Sequence, residues 1–142
     1  MLPTIRLFIC CTCLLATVAG AASFSSSDPY RKQRALFMKA DKALEENRLG
    51  DYRQLQAQLT DYPLYPYLQY RELRRRLSLA KHEEIAGFIA DNEDNPLGRR
   101  MRQAWLYTLV KQRDWPRFLK TWGGNQPVKL QCYKLQAQIK TG

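Results

Sequence analysis

The run Asp61-Tyr62-Pro63-Leu64-Tyr65-Pro66-Tyr67-Leu68-Gln69-Tyr70-Arg71 places four tyrosines and two prolines within eleven residues. A proline lacks an N–H and its ring crowds the preceding turn, so neither proline belongs inside a helix. Pro63 is expected to end the element before it, and Pro66, with φ already fixed, to sit in the first turn of the next one. From Tyr67 on, Leu68, Leu73 and Leu77 recur at roughly helical intervals with arginines between them. The stretch reads as a tight corner between two helices, lined by aromatic rings.

Outward from this corner the chain keeps to helical spacing. Upstream, Asp28-Pro29 predicts a first helix with an acidic N-cap, and Ala35, Leu36, Met38, Ala40, Ala43 and Leu44 give it an apolar side. Leu49-Gly50 is expected to close it, with glycine taking positive φ, and Asp51 to cap a second helix carrying Tyr52, Leu55 and Leu59. Downstream, a third helix is predicted from about Tyr67 to Leu79. Its Arg74-Arg75-Arg76 run turns through about 200°, so the three guanidiniums cannot share one partner and read as a solvated face. Lys81-His82-Glu83-Glu84 opens a fourth helix with Ile85, Phe88 and Ile89. After a polar break at Asn92 to Pro96, a fifth aligns Met101, Ala104, Trp105, Thr108 and Leu109. A sixth starts at Asp114 with Trp115, Phe118 and Trp122 and stops at Gly123-Gly124; Pro127 opens a seventh with Leu130, Tyr133, Leu135 and Ile139. No stretch alternates apolar and polar residues between turn signals as strands would. The expected class is all-α, with about seven helices.

Pro29, Pro63, Pro96 and Pro127 are spaced by 34, 33 and 31 residues, and each opens a helix pair. Asp51-Tyr52 with Leu55 matches Asp114-Trp115 with Phe118 two units later, and His82 holds the corresponding place between them. A period of about 30–35 residues with two helices per unit is the mark of an α-solenoid, in which no pair buries its apolar face alone. The fold class is therefore a helical-hairpin solenoid, or superhelix. Its seventh helix begins a fourth unit, with Leu130, Tyr133 and Leu135 expected on a helix without its mate, so the domain reads as incomplete at its C-terminus.

Composition and the N-terminus bound the partners. Of 142 residues, 45% are hydrophobic and 25% charged, and the formal net charge is +10. Such a chain folds around a core and attracts polyanions. Arg6, the apolar run from Leu7 to Val18 and the small residues Ala19-Gly20-Ala21-Ala22-Ser23 read as a cleaved signal peptide over residues 1–22. A serine-rich linker, 23–27, and a helical domain, 28–142, come next. Export to the periplasm argues against nucleic acid as a partner and limits membrane contact to the signal peptide. Cys10, Cys11 and Cys13 leave with the signal, so Cys132 remains alone, expected as a small buried residue on a helix.

The DYPLYPYLQYR run resembles the N-terminal helical domain of soluble lytic murein transglycosylases, which cut peptidoglycan. Gln131-Cys132-Tyr133 followed by Thr141-Gly142 resembles the Cys-plus-aromatic helix of that family, and the resemblance covers residues 28–142. It implies a superhelix whose opening admits glycan strands, joined to a lysozyme-like catalytic domain that cleaves MurNAc-GlcNAc bonds with a 1,6-anhydro product. Such cleavage needs a carboxylic acid whose pKa is raised in an apolar cleft. In the family that glutamate precedes a serine, and no Glu-Ser pair occurs here. Glu45, Glu46, Glu72, Glu83, Glu84 and Glu93 read as solvated charge on helices and loops. The resemblance thus implies a non-catalytic scaffold that guides peptidoglycan strands, with the catalytic domain as a missing partner and no catalytic residue of its own.

Binding residues are the stronger candidates. Tyrosine rings stack on sugar faces and arginines pair with carboxylates, which makes Tyr62, Tyr65, Tyr67, Tyr70 and Arg71 the candidate peptidoglycan-binding cluster. The same rings read first as packing helix on helix, and Trp105, Trp115 and Trp122 likewise read as core. His82 is the lone histidine, so no metal site is expected; no cofactor motif occurs, and Gly123-Gly124 lacks the Lys-Ser or Lys-Thr of a phosphate loop. The alternative function is a free-standing periplasmic helical-repeat adaptor that binds a protein or peptide.

Overall fold

The computed structural model describes residues 28–142. The expected signal peptide, 1–22, and linker, 23–27, lie outside the described residues. The described residues form seven helices, in order α1 (Arg31–Glu45), α2 (Leu49–Gln56), α3 (Tyr65–Arg75), α4 (His82–Asp91), α5 (Pro96–Gln112), α6 (Trp115–Thr121) and α7 (Val128–Thr141). The described residues form no strand.

The helices pair as hairpins and the hairpins stack. α1 packs on α2, α4 on α5, α5 on α6 and α6 on α7, while α1 touches α3, α3 touches α5 and α5 touches α7. The odd-numbered helices thus form one continuous layer, with the even-numbered helices beside it. The even helices begin at residues 49, 82 and 115, steps of 33. In each, the fourth residue is buried: Tyr52, Ile85 and Phe118. This corrects the register read from sequence. The true equivalents are Tyr52, Ile85 and Phe118, with Leu49, His82 and Trp115 at the helix starts.

Two core clusters result. Ala40, Ala43 and Leu44 of α1, Tyr52 of α2, Leu59 and Tyr62 of the α2–α3 loop, and Leu68 of α3 make the first. Leu73 and Leu77 begin the second, which runs through Ile85, Met101, Trp105 and Phe118 to Leu130 and Ala137 of α7. α3 is therefore the shared wall, facing one core with Leu68 and the other with Leu73. Burying a large apolar side chain contributes about 1.5–3 kcal/mol, so both clusters stabilise the stack mainly through these contacts.

Several boundaries differ from expectation for local reasons. α1 ends not at Gly50 but through Asn47, whose φ is 59°. The N–H of Arg48 donates to Ala43 O at 2.8 Å and that of Asn47 to Leu44 O at 3.2 Å, which is a Schellman closure with asparagine in the left-handed position. Gly50 and Asp51 then fall in the first turn of α2. Asp28 lies upstream of α1, where its Oδ1 accepts the Tyr30 N–H at 3.1 Å. α2 stops at Gln56, so Leu59 and Pro63 lie in the connecting turns, whereas Pro66 sits in the first turn of α3 as expected. α3 ends at Arg75, four residues short of Leu79. Asp114 does cap α6, accepting from Arg117 N at 3.1 Å.

The apolar faces read from sequence need two further corrections. Met38 is 67% exposed, because α1 buries the stripe of Ala40, Ala43 and Leu44 instead. Cys132 is exposed: α7 buries Leu130 and Ala137, seven residues apart, and Cys132 points away from that line. Leu135 and Ile139 lie on its exposed side, with Tyr133 half-buried.

Candidate functional site

The corner is built by the α2–α3 loop and the first two turns of α3. Tyr62 is buried, its ring centroid 5.9 Å from Tyr30 and 5.6 Å from Phe37 of α1. Tyr65 is half-buried against the same cluster. Tyr70 turns to the other side of α3 and packs near Phe88 of α4, centroids 6.3 Å apart. Residues 65 and 70 fall five positions apart on a helix, about 140° around its axis, so the two rings serve opposite cores. Tyr67 alone of the four is exposed, at 47%.

Arg71 is committed to the fold. Its guanidinium donates to Asp41 and, at 2.9 Å, to Glu45 Oε1, both on α1. The two carboxylates raise its pKa, the hydrogen bond it donates to Glu45 contributing most. The fork ties α3 to α1 one layer away. The five candidate residues therefore do not converge on one concavity: three rings and the guanidinium hold helices together, and Tyr67 faces solvent.

A groove of about 630 Å³ lies on the other side of α3, between α2 and α4. Tyr52 and Phe88 supply its apolar walls, and Arg53, Glu72, Arg76, Glu84 and Asp91 its charge. Tyr52 donates its hydroxyl to Leu68 O at 3.2 Å, and burial pushes its phenol pKa up, so it stays neutral. Arg76 bridges two acids, with Nε 2.6 Å from Glu72 Oε1 and Nη1 2.7 Å from Glu84 Oε2. Hydrogen bonding to Arg76 holds the Glu84 carboxyl below its ordinary range. A general acid for glycoside cleavage needs the opposite shift. The remaining Arg74–Arg76 residues diverge as the 100° spacing requires: Arg75 donates to Asn47 Oδ1 at 3.1 Å, and Arg74 is exposed.

The other glutamates sit at the surface. Glu45 and Glu46 are 60% and 45% exposed and paired with arginines, Glu93 is 70% exposed, and Glu83 is exposed. Trp105 is buried, whereas Trp115 and Trp122 are half-buried against Phe118. His82 stacks on Trp105 at 6.1 Å between centroids, and the His82 Nδ1 and Trp105 Nε1 atoms are buried without a protein partner. Among the described residues no three His, Cys, Asp or Glu side chains group as metal ligands would, and no helix is long and apolar enough to cross a membrane.

No family model matches the chain. Curated relatives do. The soluble lytic murein transglycosylase of Escherichia coli K12 is 30% identical over 98% of this chain, and that of Salmonella typhimurium is 27% identical over 96%. The chain spans 21% of the length of each. Among solved structures, the 70 kDa soluble lytic transglycosylase from Escherichia coli superimposes with a TM-score of 0.74 at 26% identity, covering 81% of this chain and 19% of that one. The complex of that enzyme with bulgecin A matches equally, with a TM-score of 0.74. Sequence and fold agree: the chain is homologous to a helical segment, about one fifth in length, of the soluble lytic murein transglycosylases.

Proposed function

We propose that this chain is the non-catalytic, superhelical part of a periplasmic soluble lytic murein transglycosylase, and that it scaffolds and guides peptidoglycan strands for a lysozyme-like domain. The carrying observation is the match of nearly the whole chain to about one fifth of relatives named for murein cleavage. Charge supports it: Lys and Arg number 23 against 13 Asp and Glu, suited to a polymer bearing peptide carboxylates. The state of the carboxylates supports it too. The groove glutamate Glu84 is held ionised by Arg76, and the others lie exposed or paired. Periplasmic location rests on the signal-peptide reading of residues 1–22.

The test uses the purified chain with isolated peptidoglycan sacculi. Co-sedimentation without release of 1,6-anhydro-muropeptides is the expected result. Turnover above a no-enzyme control, or absence of retention at low salt, overturns the reading.

A further inference from the structure

A second concavity, about 600 Å³, opens between the start of α5 and the loop joining α6 to α7. Arg99, Arg100, Arg102 and Gln103 form one wall, and Gly124, Asn125 and Gln126 the other. No acid lines it. Among the described residues, Arg99 and Arg100 make no ion pair and no side-chain hydrogen bond, unlike Arg48, Arg71 and Arg76, which each hold two acids. Arg102 is 18% exposed, and Glu93, 70% exposed, reaches it only at 3.7 Å.

The placement runs against helix electrostatics. Arg99 and Arg100 lie just after the N-terminus of α5, which has no acid in its first turn. The N-terminal end of a 17-residue helix carries partial positive charge and favours anions. Cationic side chains there cost stability unless an anion joins them. The opposite wall is a fixed surface. Gln126 is buried and donates to Gly123 O at 2.5 Å, Gln131 donates to Gln126 O at 2.9 Å, and Gly124 takes a φ of +65° that glycine alone adopts freely. The Arg102 guanidinium lies along this loop, 3.6 Å from where a Cβ on Gly123 would stand.

We propose that this cleft is a carboxylate-binding site that takes a short acidic peptide. Planar guanidinium forks match carboxylates in bidentate fashion. The volume falls within the range of sites for multi-atom ligands and exceeds what a single free ion fills. Gln103 and Asn125 supply amide groups for the backbone of such a peptide. The site goes beyond the murein reading and does not require it: it stands or falls on a soluble probe, whatever sacculi do.

The experiment titrates acetyl-Glu-Glu into the full chain at low salt and monitors the Gly124 and Asn125 amides and the arginine side-chain N–H signals by NMR. Saturable shifts are expected at these positions, absent with acetyl-Gln-Gln. The R99Q/R100Q variant should weaken binding at least tenfold, and R99K/R100K by less, because charge remains while the fork is lost. Both changes are at exposed positions, and circular dichroism checks that the variants fold. R31Q, on α1, should bind as the parent does. Non-saturating shifts, an equal loss in R31Q, or inorganic phosphate binding as tightly as acetyl-Glu-Glu would each overturn the assignment.

Discussion

A Cβ on Gly98 would lie 2.1 Å from the carbonyl oxygen of Asn92. α5 thus runs close against the end of α4, and the groups around the contact are engaged. Asn92 donates its side-chain amide to Phe88 O at 2.9 Å and accepts from Asn95 Nδ2 at 2.8 Å; Asn95 Oδ1 then caps α5 by accepting from Leu97 N at 2.7 Å. Backbone rather than a flexible side chain fills the space, so a methyl group forces the hairpin open. Gly98→Ala is expected to cost about 3 kcal/mol by urea unfolding, the upper range for overpacking. Gly87, in the middle of α4, meets nothing within 4 Å. Gly87→Ala should therefore gain about 0.5–1 kcal/mol from helix propensity alone. Equal effects of the two changes would contradict the close approach.

α1 and α5 end alike, yet with different residues. Arg113 takes φ 57° after α5, with its N–H donating to Val110 O at 3.1 Å and that of Asp114 to Leu109 O at 3.0 Å. An L-residue in this conformation costs about 1–2 kcal/mol, and glycine none of it, though glycine is the more flexible when unfolded. Arg113→Gly is expected to raise stability by about 0.5–1 kcal/mol, read as a higher urea midpoint at unchanged slope. A lower midpoint would mean that the arginine side chain contributes more than the backbone strain removes.

How much of this was legible depended on range. The existence and order of seven helices could be read from local punctuation: Pro66 in a first turn, Asp114 as a cap, Gly123-Gly124 as a stop. The repeat was visible through the prolines, but its register was not. Proline marks a connection whose length varies between units, whereas Tyr52, Ile85 and Phe118 keep a strict spacing because each must reach the core from the same turn. Asn47 was a readable stop, since asparagine tolerates positive φ better than most residues; Gly50, three positions later, carried the stronger but misleading signal. Gly98 carried only the signal of a glycine inside a helical pattern. The corner's chemistry was beyond local reading. Whether Arg71 meets a ligand or Asp41 depends on how α1 lies against α3, thirty residues away in sequence.

The Arg76–Glu84 pair predicts a defined pH response. Arg76 lowers the folded pKa of Glu84, so the folded state binds that proton less readily than the unfolded chain. The resulting stability is complete above the ordinary glutamate value of about 4.3 and is lost as pH falls through the depressed folded value. Glu84 is 44% exposed, so solvent screening limits the effect to about 1 kcal/mol or less. Glu84→Gln should lower the urea midpoint at pH 7, with the gap to the parent narrowing as pH falls through the depressed folded value. A gap that stays constant down the acid range would assign the loss to packing or hydrogen bonding rather than to charge.

The division of labour among the corner tyrosines separates binding from folding. Tyr62 is 6% exposed and set between Tyr30 and Phe37, so Tyr62→Ala removes a buried ring and should cost about 3–5 kcal/mol, with sacculus retention lost through unfolding. Tyr67 presents its ring outward from the first turn of α3, where removing it opens no core. Tyr67→Ala should leave the urea midpoint within about 0.5 kcal/mol of the parent, as at other surface positions. If the corner contacts glycan, the same variant binds sacculi several-fold more weakly, and Tyr67→Trp, which keeps a stacking face, restores retention. Unchanged retention in a folded Tyr67→Ala protein would leave the corner with a packing role alone. Strand guidance would then fall to other basic surfaces of the stack.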